Sequence, residues 1–401
     1  MPKEIYNQPM ITKLTVESFK TLEKVEIELG LVNVFVGANG SGKSNLLEAV
    51  GVLSAAADGK VDDQVLLQRG VRPGVPELYK SAFNERLPQH IYFAAHNEKS
   101  SYEVSLLNTL EATRPWRFKT ELLMRGDEKV SSRSPRLKGN PNTERGLAAF
   151  EADELKANDP ANRLMKQLQK FVIYSPTTPV LRGTSPETLP RLPVGLHGGR
   201  LPEAIHELLQ SRKNDAHTKR VSKEALSLID WARKYGSAAA RELPISPAAG
   251  ATQRVIRFVD RYMREGRNVL SGYDASEGAL YILFMAVLAA HPESPQLLAV
   301  DNADHGLNPR LAKSLFKHLC GWVLDSPEPK QILVTTHNPQ VLDGLPLRDE
   351  RVRLFTVSRT DSGRSVVSRV EVNEQMLAMA DKGWTLSRLW VMGHLGGVPN
   401  V

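Results

Sequence analysis

A glycine-rich stretch between an apolar run and a helical pattern constrains the fold of this chain more than any other feature. Residues 37–44 read GANGSGKS, directly after the apolar, β-branched run at 31–36 and before a helical pattern at 45–50. A strand, a glycine-rich turn and a helix N-terminus in this order form a loop whose backbone N–H groups surround a phosphate. The sequence therefore predicts an α/β chain with a nucleotide site at this turn.

The residues of this loop have separate predicted roles. Lys43 is expected to reach the β- and γ-phosphates of the nucleotide, and the Ser44 hydroxyl is expected to hold Mg²⁺. The glycines allow the backbone to wrap closely around the phosphates. The predicted nucleotide-binding residues of this loop are Gly37, Asn39, Gly40, Ser41, Gly42, Lys43, Ser44 and Asn45.

A second group of candidate residues lies far downstream, at the ends of two apolar runs. The run at 296–300 ends at Asp301, where a carboxylate can bind Mg²⁺ opposite Ser44. The run at 331–336 leads to His337, which can contact the γ-phosphate or the attacking water. In isolation such a histidine would more simply cap a turn. The Thr-Thr-His-Asn-Pro context and its position after Asp301 favour a functional role.

A third element precedes the apolar helix expected at 279–290. Ser276 and Gly278 stand at the N-terminus of this helix, so their N–H groups and the serine hydroxyl can bind an anion. A Ser-x-Gly sequence alone is usually only a helix cap. Its position between the glycine-rich loop and Asp301 gives it weight as a site candidate.

These four elements, in this order, resemble the ABC-type ATPase heads of the RecF/SMC/OLD superfamily. Residues 37–44 match the Walker A loop, 276–278 a degenerate signature motif, Asp301 the Walker B aspartate and His337 the switch histidine. The resemblance implies a P-loop NTPase fold with ATP and Mg²⁺ as ligands. Because two such heads pair head-to-tail on ATP, it also implies a homodimer or higher oligomer with Ser276 acting across the interface.

The residue after Asp301 departs from the family pattern. Heads of this kind usually carry a catalytic glutamate there, whereas this chain has Asn302. An amide cannot accept a proton near neutral pH, and loss of a positioned base typically costs about 10²- to 10⁴-fold in rate. Asp304, together with His305, is the candidate substitute base, although it can also be a surface acid. We expect either a slow ATPase or an ATP-gated clamp.

The patterns divide the chain into three expected segments. Residues 1–125 form the N-terminal part of the head, 126–250 a basic loop and helical insert, and 251–401 the C-terminal part with the signature, Walker B and switch residues. The expected fold is a mixed sheet core with an antiparallel β layer. Strands are expected at 92–93, 102–107 and 117–124, a polar loop at 131–146, and helices at 147–171, 201–209 and 222–235.

The charge of the chain points to a polyanionic partner. The formal net charge is +7, and basic residues cluster in one region. These residues are Arg114, Arg117, Lys119, Arg125, Lys129, Arg133, Arg136, Lys138 and Arg145. The region from Arg114 to Arg145 therefore predicts contact with DNA or RNA, with a solvated loop as the alternative.

Cysteine usage and the lack of an apolar run long enough to span a membrane indicate the compartment. Cys320 is the single cysteine and is expected in the core of a helix, which fits a reducing cytoplasm. No run of 18 apolar residues is present, so no membrane association is expected.

The resemblance also gives three hypotheses for function. The leading one is an ATP-dependent head that gates a nucleic-acid-directed partner in prokaryotic defence or DNA repair. The residues after His337 leave too little room for a nuclease domain, so a separate nuclease or effector protein is expected. The alternatives are a non-hydrolysing ATP-binding scaffold and a RecF-like DNA-binding repair factor.

Overall fold

A computed structural model describes residues 10–83, 86–108, 115–134, 142–211, 215–245, 253–371 and 384–396. The strands in these ranges are β1 (Lys13–Phe19), β2 (Leu22–Glu28), β3 (Val32–Gly37), β4 (Ile91–His96), β5 (Ser100–Leu107), β6 (Arg117–Arg125), β7 (Glu128–Arg133), β8 (Val172–Tyr174), β9 (Ala232–Ala239), β10 (Arg254–Asp260), β11 (Val269–Ser271), β12 (Leu297–Val300), β13 (Gln331–Thr336), β14 (Val352–Arg359) and β15 (Ser365–Arg369).

The α-helices in the same ranges are α1 (Lys43–Ala57), α2 (Asp63–Leu67), α3 (Leu147–Asp153), α4 (Pro160–Gln169), α5 (Thr178–Leu181), α6 (Leu201–Ser211), α7 (Ala216–Leu228), α8 (Glu277–Ala290), α9 (Pro309–Leu324) and α10 (Leu386–Val391). Short 3-10 segments occur at Pro76–Tyr79, Ala240–Glu242 and Pro339–Gly344.

A six-stranded sheet forms the core of the molecule. Its strand order is β15-β14-β3-β13-β12-β8, with all neighbours parallel except the antiparallel pair of β14 and β15. In the centre, Val34 of β3 lies opposite Val334 of β13 and Leu354 of β14. Because the carboxyl ends of parallel strands meet at one edge, the segments that follow β3, β12 and β13 converge there.

Both faces of this sheet are buried, which explains why its strands read as continuous apolar runs. Along β3, Val34 packs with the layer that contains α8 and α9, whereas Phe35 packs with α1 and the antiparallel strands. The Phe35 ring stacks on that of Phe355, with centroids 4.9 Å apart. The strands expected at 31–36, 296–300 and 331–336 are therefore confirmed.

A second six-stranded sheet, in the order β2-β1-β4-β5-β6-β7, confirms the expected antiparallel layer. Helix α1 contacts β3 and β13 of the core sheet and β1, β4 and β5 of this antiparallel sheet. The helix that leaves the glycine-rich loop is thus held between the two sheets.

The segment 126–250 contains more strand than its sequence suggested. β7 extends the antiparallel sheet and β9 joins the three-stranded sheet β11-β10-β9, whereas β8, at the edge of the core sheet, lies in the run 171–176 that the sequence predicts as a strand. The expected helix at 222–235 is wrong in its second half, because α7 ends at Leu228 and Tyr235 lies in β9 opposite Phe258. Pairing with β10 overrides the local helical pattern there. The segment boundaries at 125 and 250 stay a prediction.

The expected polar loop at 131–146 begins inside a strand, and its residues 135–141 lie outside the described ranges. The guanidinium of Arg133 is buried and donates from Nε to Oε2 of the buried Glu121 at 3.0 Å. The same carboxylate oxygen accepts from the backbone N of Leu147, the first residue of α3, at 2.8 Å. Arg133 therefore stabilises the fold and is not available to a nucleic acid.

Cys320 lies in α9 and is fully buried, as expected. Burial raises the pKa of its thiol to about 12, so the thiol is protonated at neutral pH. None of the helices in the described ranges has the length and apolar character needed to cross a membrane.

Candidate functional site

The glycine-rich loop connects the end of β3 to the start of α1. Gly42 precedes Lys43, the first residue of α1, with a φ of 110°, and Gly40 has a φ of 74°. A Cβ added to Gly42 would lie 2.2 Å from Oγ of Ser365. Backbone conformation and space both require glycine at position 42.

Side chains from the turn between β1 and β2 and from β15 contact this loop. Ser365 at the start of β15 donates from Oγ to the backbone O of Ser41 at 2.6 Å. Its Oγ also lies 2.7 Å from Oγ1 of Thr21, which accepts from Nδ2 of Asn45 at 2.8 Å. Thr21 and Ser365 were not found by sequence reasoning, because neither belongs to a recognisable motif.

Lys43 is buried beneath the loop and directs its amine toward the strand ends. Its Nζ donates to the backbone O of Gly37 at 2.8 Å and of Ala38 at 2.9 Å. Burial lowers the pKa of Lys43 to about 8, although the carboxylates of Asp301 and Asp304 oppose this shift. The amine is therefore charged at neutral pH and lies close to its deprotonation range.

His337 follows β13 and contacts the same amine. Its Nδ1 lies 3.3 Å from Nζ of Lys43, and its backbone N donates to Oδ1 of Asp304 at 3.3 Å. Burial, and then the charge of Lys43, lower the pKa of His337, so its imidazole is neutral near pH 7. Because Nδ1 accepts from the ammonium, we assign the ring proton to Nε2, which makes His337 a donor for an anion.

Asp301, at the end of β12, joins the loop to the distal half of the site. The hydroxyl of Ser44 lies 2.9 Å from Oδ2 and 3.1 Å from Oδ1 of Asp301. Thr335 donates from Oγ1 to Oδ1 of Asp301 at 2.5 Å and accepts from the backbone N of Asn302 at 2.8 Å. Thr335 was not among the predicted site residues, and the signal for it was its place in the Thr-Thr-His-Asn-Pro segment, two residues before His337.

Asn302 has a left-handed backbone with a φ of 53°, a conformation that asparagine adopts more readily than most residues. Strand β12 ends at Val300 and turns follow, so strand alternation does not relate Asn302 to Asp304. Both residues nevertheless line one cavity. The structure thus places the amide and the candidate substitute base together by a turn.

This cavity, of about 550 Å³, joins the two halves of the site. The residues that line it are Gly37, Ala38, Asn39, Asn302, Asp304, His305, His337 and Trp390. Trp390 belongs to α10 and was not expected at the site. The remaining residues come from the loop and from the segments after β12 and β13.

Ser276 and Gly278 are not among the residues that line this cavity. Ser276 is exposed at the N-terminus of α8, and its side chain caps no backbone group there. Its Oγ accepts from Nε1 of Trp231 at 3.3 Å. Gly278 is buried against α9, and an added Cβ would lie 3.1 Å from Cδ2 of Leu311. Glu277, between them, accepts from the hydroxyl of Thr178.

The pKa of Lys43 predicts how nucleotide affinity depends on pH. Only the protonated amine attracts phosphate, and a bound anion raises its pKa, so binding is full below the pKa of the free protein and weakens above it. With that pKa at about 8, ATP affinity should fall by up to about tenfold per pH unit between about pH 8 and about pH 9.5. Calorimetric titration over this range is the measurement, and Lys43→Met, whose residual binding should not follow this curve, is the control. An affinity that stays constant to about pH 9.5 would contradict the assigned role of Lys43.

Two protein-family models match separate parts of the chain. Residues 10–110 match a family described as "AAA ATPase domain". Residues 184–343 match one described as "AAA domain, putative AbiEii toxin, Type IV TA system". The first match contains the glycine-rich loop, and the second contains Ser276, Asp301 and His337.

Solved SMC head domains are similar to this structure. One is described as an SMC head bound to the C-winged helix domain of ScpA, with 16% identity and a TM-score of 0.54 over 92% of this chain and 100% of that one. Another is the SMC head domain from Thermotoga maritima, with 17% identity and a TM-score of 0.47 over 90% of this chain and 99% of that one. The first similarity shows a shared fold, that of a P-loop NTPase. Together with the two matches to AAA-family ATPase domains, it shows that the chain has the fold of an ATPase head.

Proposed function

We propose that this head pairs head-to-tail with a second copy on binding ATP, hydrolyses ATP slowly, and thereby gates a nucleic-acid-directed partner in cytoplasmic defence or DNA repair. The observation that carries this proposal is the shared cavity. It combines the phosphate loop, His337 and Asp304, and it has Asn302 at the position after the Walker B aspartate. The partner is a separate nuclease or effector protein. A neighbouring gene for such a protein would support this part, and its absence would count against it.

The residues beside the loop fit a magnesium ion. The Ser44 hydroxyl and the Asp301 carboxylate approach to 2.9 Å, and both are oxygen ligands of the kind that Mg²⁺ prefers. Thr335 holds the carboxylate in place through its hydroxyl. Bound between these residues and the nucleotide, Mg²⁺ would neutralise charge on the β- and γ-phosphates.

Slow hydrolysis follows from the two side chains that face the cavity after β12. The Asn302 amide can orient a water but cannot take its proton near neutral pH. Asp304 carries a carboxylate into the same cavity, where it accepts from the backbone N of His337 at 3.3 Å. A carboxylate in this place can act as the base that the chain otherwise lacks.

Substitutions at these two positions test the assignment of the base. Asn302→Glu should raise the single-turnover rate of ATP hydrolysis by about tenfold or more, because it supplies a positioned carboxylate. Asp304→Asn, which keeps the size of the side chain, should lower that rate about 10²-fold or more if Asp304 is the base. Phosphate release from pre-bound ATP is the measurement. Unchanged rates in both variants would show that the catalytic water lies elsewhere.

The scaffold alternative predicts a different result in the same assay. A protein that uses ATP only as a structural ligand would retain it tightly and release no phosphate over hours. Any residual phosphate release would also be unchanged by Asp304→Asn. Measurable turnover that depends on Asp304 therefore separates the slow ATPase from the scaffold.

Pairing through the signature serine is supported by the position of Ser276. The residue is exposed, lies at a helix N-terminus, and does not line the cavity of its own chain. Its hydroxyl accepts from Trp231 and keeps its own proton for donation. A helix N-terminus of this kind favours an anion, which the nucleotide held by a second copy would supply.

ATP-dependent pairing should therefore depend on position 276. Ser276→Arg should abolish the shift to a dimer on addition of ATP and Mg²⁺, because the long side chain blocks close approach of the second loop. Light scattering after size exclusion measures the molecular mass with and without nucleotide. Ser227→Arg, at an exposed position of α7, should leave the shift intact. A dimer that forms equally in Ser276→Arg would refute the head-to-tail arrangement.

Contact with DNA or RNA through the region from Arg114 to Arg145 remains part of the proposal, now with fewer residues. Arg133 is buried, and Arg125 pairs with Glu128 and Asp159. Arg114, Arg136 and Lys138 lie outside the described ranges. The exposed members that the structure describes without an ion pair are Arg117, Lys129 and Arg145.

A matched pair of triple variants tests this surface. Replacing Arg117, Lys129 and Arg145 by glutamine should lower oligonucleotide affinity and reduce the log–log salt slope by up to about three units. The control replaces three exposed arginines of the β10–β11 hairpin by glutamine as well. They are Arg261, Arg264 and Arg267. Loss of binding only in the hairpin variant would move the contact to that hairpin. The RecF-like alternative further predicts stronger binding with ATP, without any partner.

A further inference from the structure

Helix α10 docks on the segment that follows the switch histidine. The backbone N and Oγ of Ser387 donate to the carboxylate of Asp343 at 2.9 and 2.6 Å. Nε2 of Gln340 donates to Oγ of Ser387 at 3.3 Å. Asp343 and Gln340 belong to the 3-10 segment Pro339–Gly344, which begins two residues after His337. These contacts fix α10 against the wall of the nucleotide site.

Trp390 is the residue of α10 that reaches the cavity. It is 6% exposed and lines the cavity together with Asn39, Asp304 and His337. Its Nε1 is buried and has no acceptor among the described residues. Buried indole N–H groups normally find a hydrogen-bond partner. Because this N–H has no accessible surface, an acceptor that enters the cavity reaches it only when the indole turns toward the cavity on binding.

Other tryptophans of the same protein show how such a donor is ordinarily satisfied. Nε1 of Trp322 donates to Oε2 of Glu224 at 2.7 Å, and Nε1 of Trp231 donates to Ser276. The remaining donors around the cavity point to the charge of the missing acceptor. The Lys43 ammonium and the His337 imidazole both favour an anion beside the first residues of the loop.

We propose that the indole N–H of Trp390 donates to the terminal phosphate of a bound nucleoside triphosphate, so that α10 distinguishes a triphosphate from a diphosphate. This inference rests on the proposed ATP site and adds a specificity residue to it. The loop and Lys43 bind the phosphates that ATP and ADP share. Trp390 contacts the group by which they differ.

The test compares ATP and ADP affinities in Trp390→Phe, which keeps an aromatic ring and removes the donor. ATP affinity should fall about tenfold or more, as expected for a hydrogen bond to a charged acceptor, while ADP affinity stays unchanged. Calorimetry with each nucleotide gives both values. Trp384→Phe is the matched control, because Trp384 is half-buried, stacks on Arg388 and does not line the cavity.

Several outcomes would overturn the inference without touching the ATP site itself. Equal loss of ATP and ADP would indicate a structural role for Trp390, and unchanged ATP affinity would show that no bond forms. A gain in ATP affinity would show that the indole obstructs the cavity. If Trp390→Phe does not fold, Asp343→Ala, which releases α10 from outside the cavity, should reproduce the ATP-selective loss. An ATP affinity of Asp343→Ala equal to that of the unaltered protein would refute the proposal. Failure of the unaltered protein to bind ATP would instead overturn the proposed function.

Discussion

The parallel adjacency of β3, β13 and β12 is the constraint on which the site depends. The carboxyl ends of these three strands lie side by side, so the loop after β3, His337 after β13 and Asp301 after β12 meet without long connections. Hydrogen bonds then join all three: Lys43 to His337, Ser44 to Asp301, and Asp301 to Thr335. A change in the order of these strands would separate the groups of the proposed nucleotide site.

Sequence predicted the parts of the site that carry a local pattern. The loop at 37–44 needs glycines at fixed positions, and the strands before Asp301 and His337 are largely apolar because both faces of their sheet are buried. Thr21, Ser365 and Trp390 carry no such pattern. Their contribution depends on contacts between segments hundreds of residues apart, such as the bond from Ser365 to Ser41. Only the folded chain reveals which common residue types fill those places.

The basic region shows a different limit of sequence reasoning. A count of positive charges treats Arg133 and Lys129 alike, although one is buried against Glu121 and the other is exposed. Periodicity likewise suggested a helix where β9 forms, since a short stretch with few apolar residues satisfies both patterns weakly. In both cases the deciding information is the partner across the fold. Local composition does not contain it.

The contact between Ser365 and Ser41 also has a consequence for biosynthesis. The phosphate loop emerges from the ribosome early, yet Ser365, which donates a hydrogen bond to it, lies 324 positions after Ser41. Until β15 has been translated and has paired with β14, a nascent chain carries the complete GANGSGKS sequence without the hydrogen bond from Ser365 to Ser41. At the proposed nucleotide site, binding would therefore stabilise this protein only late in its synthesis, after the central strands have been joined across a long separation.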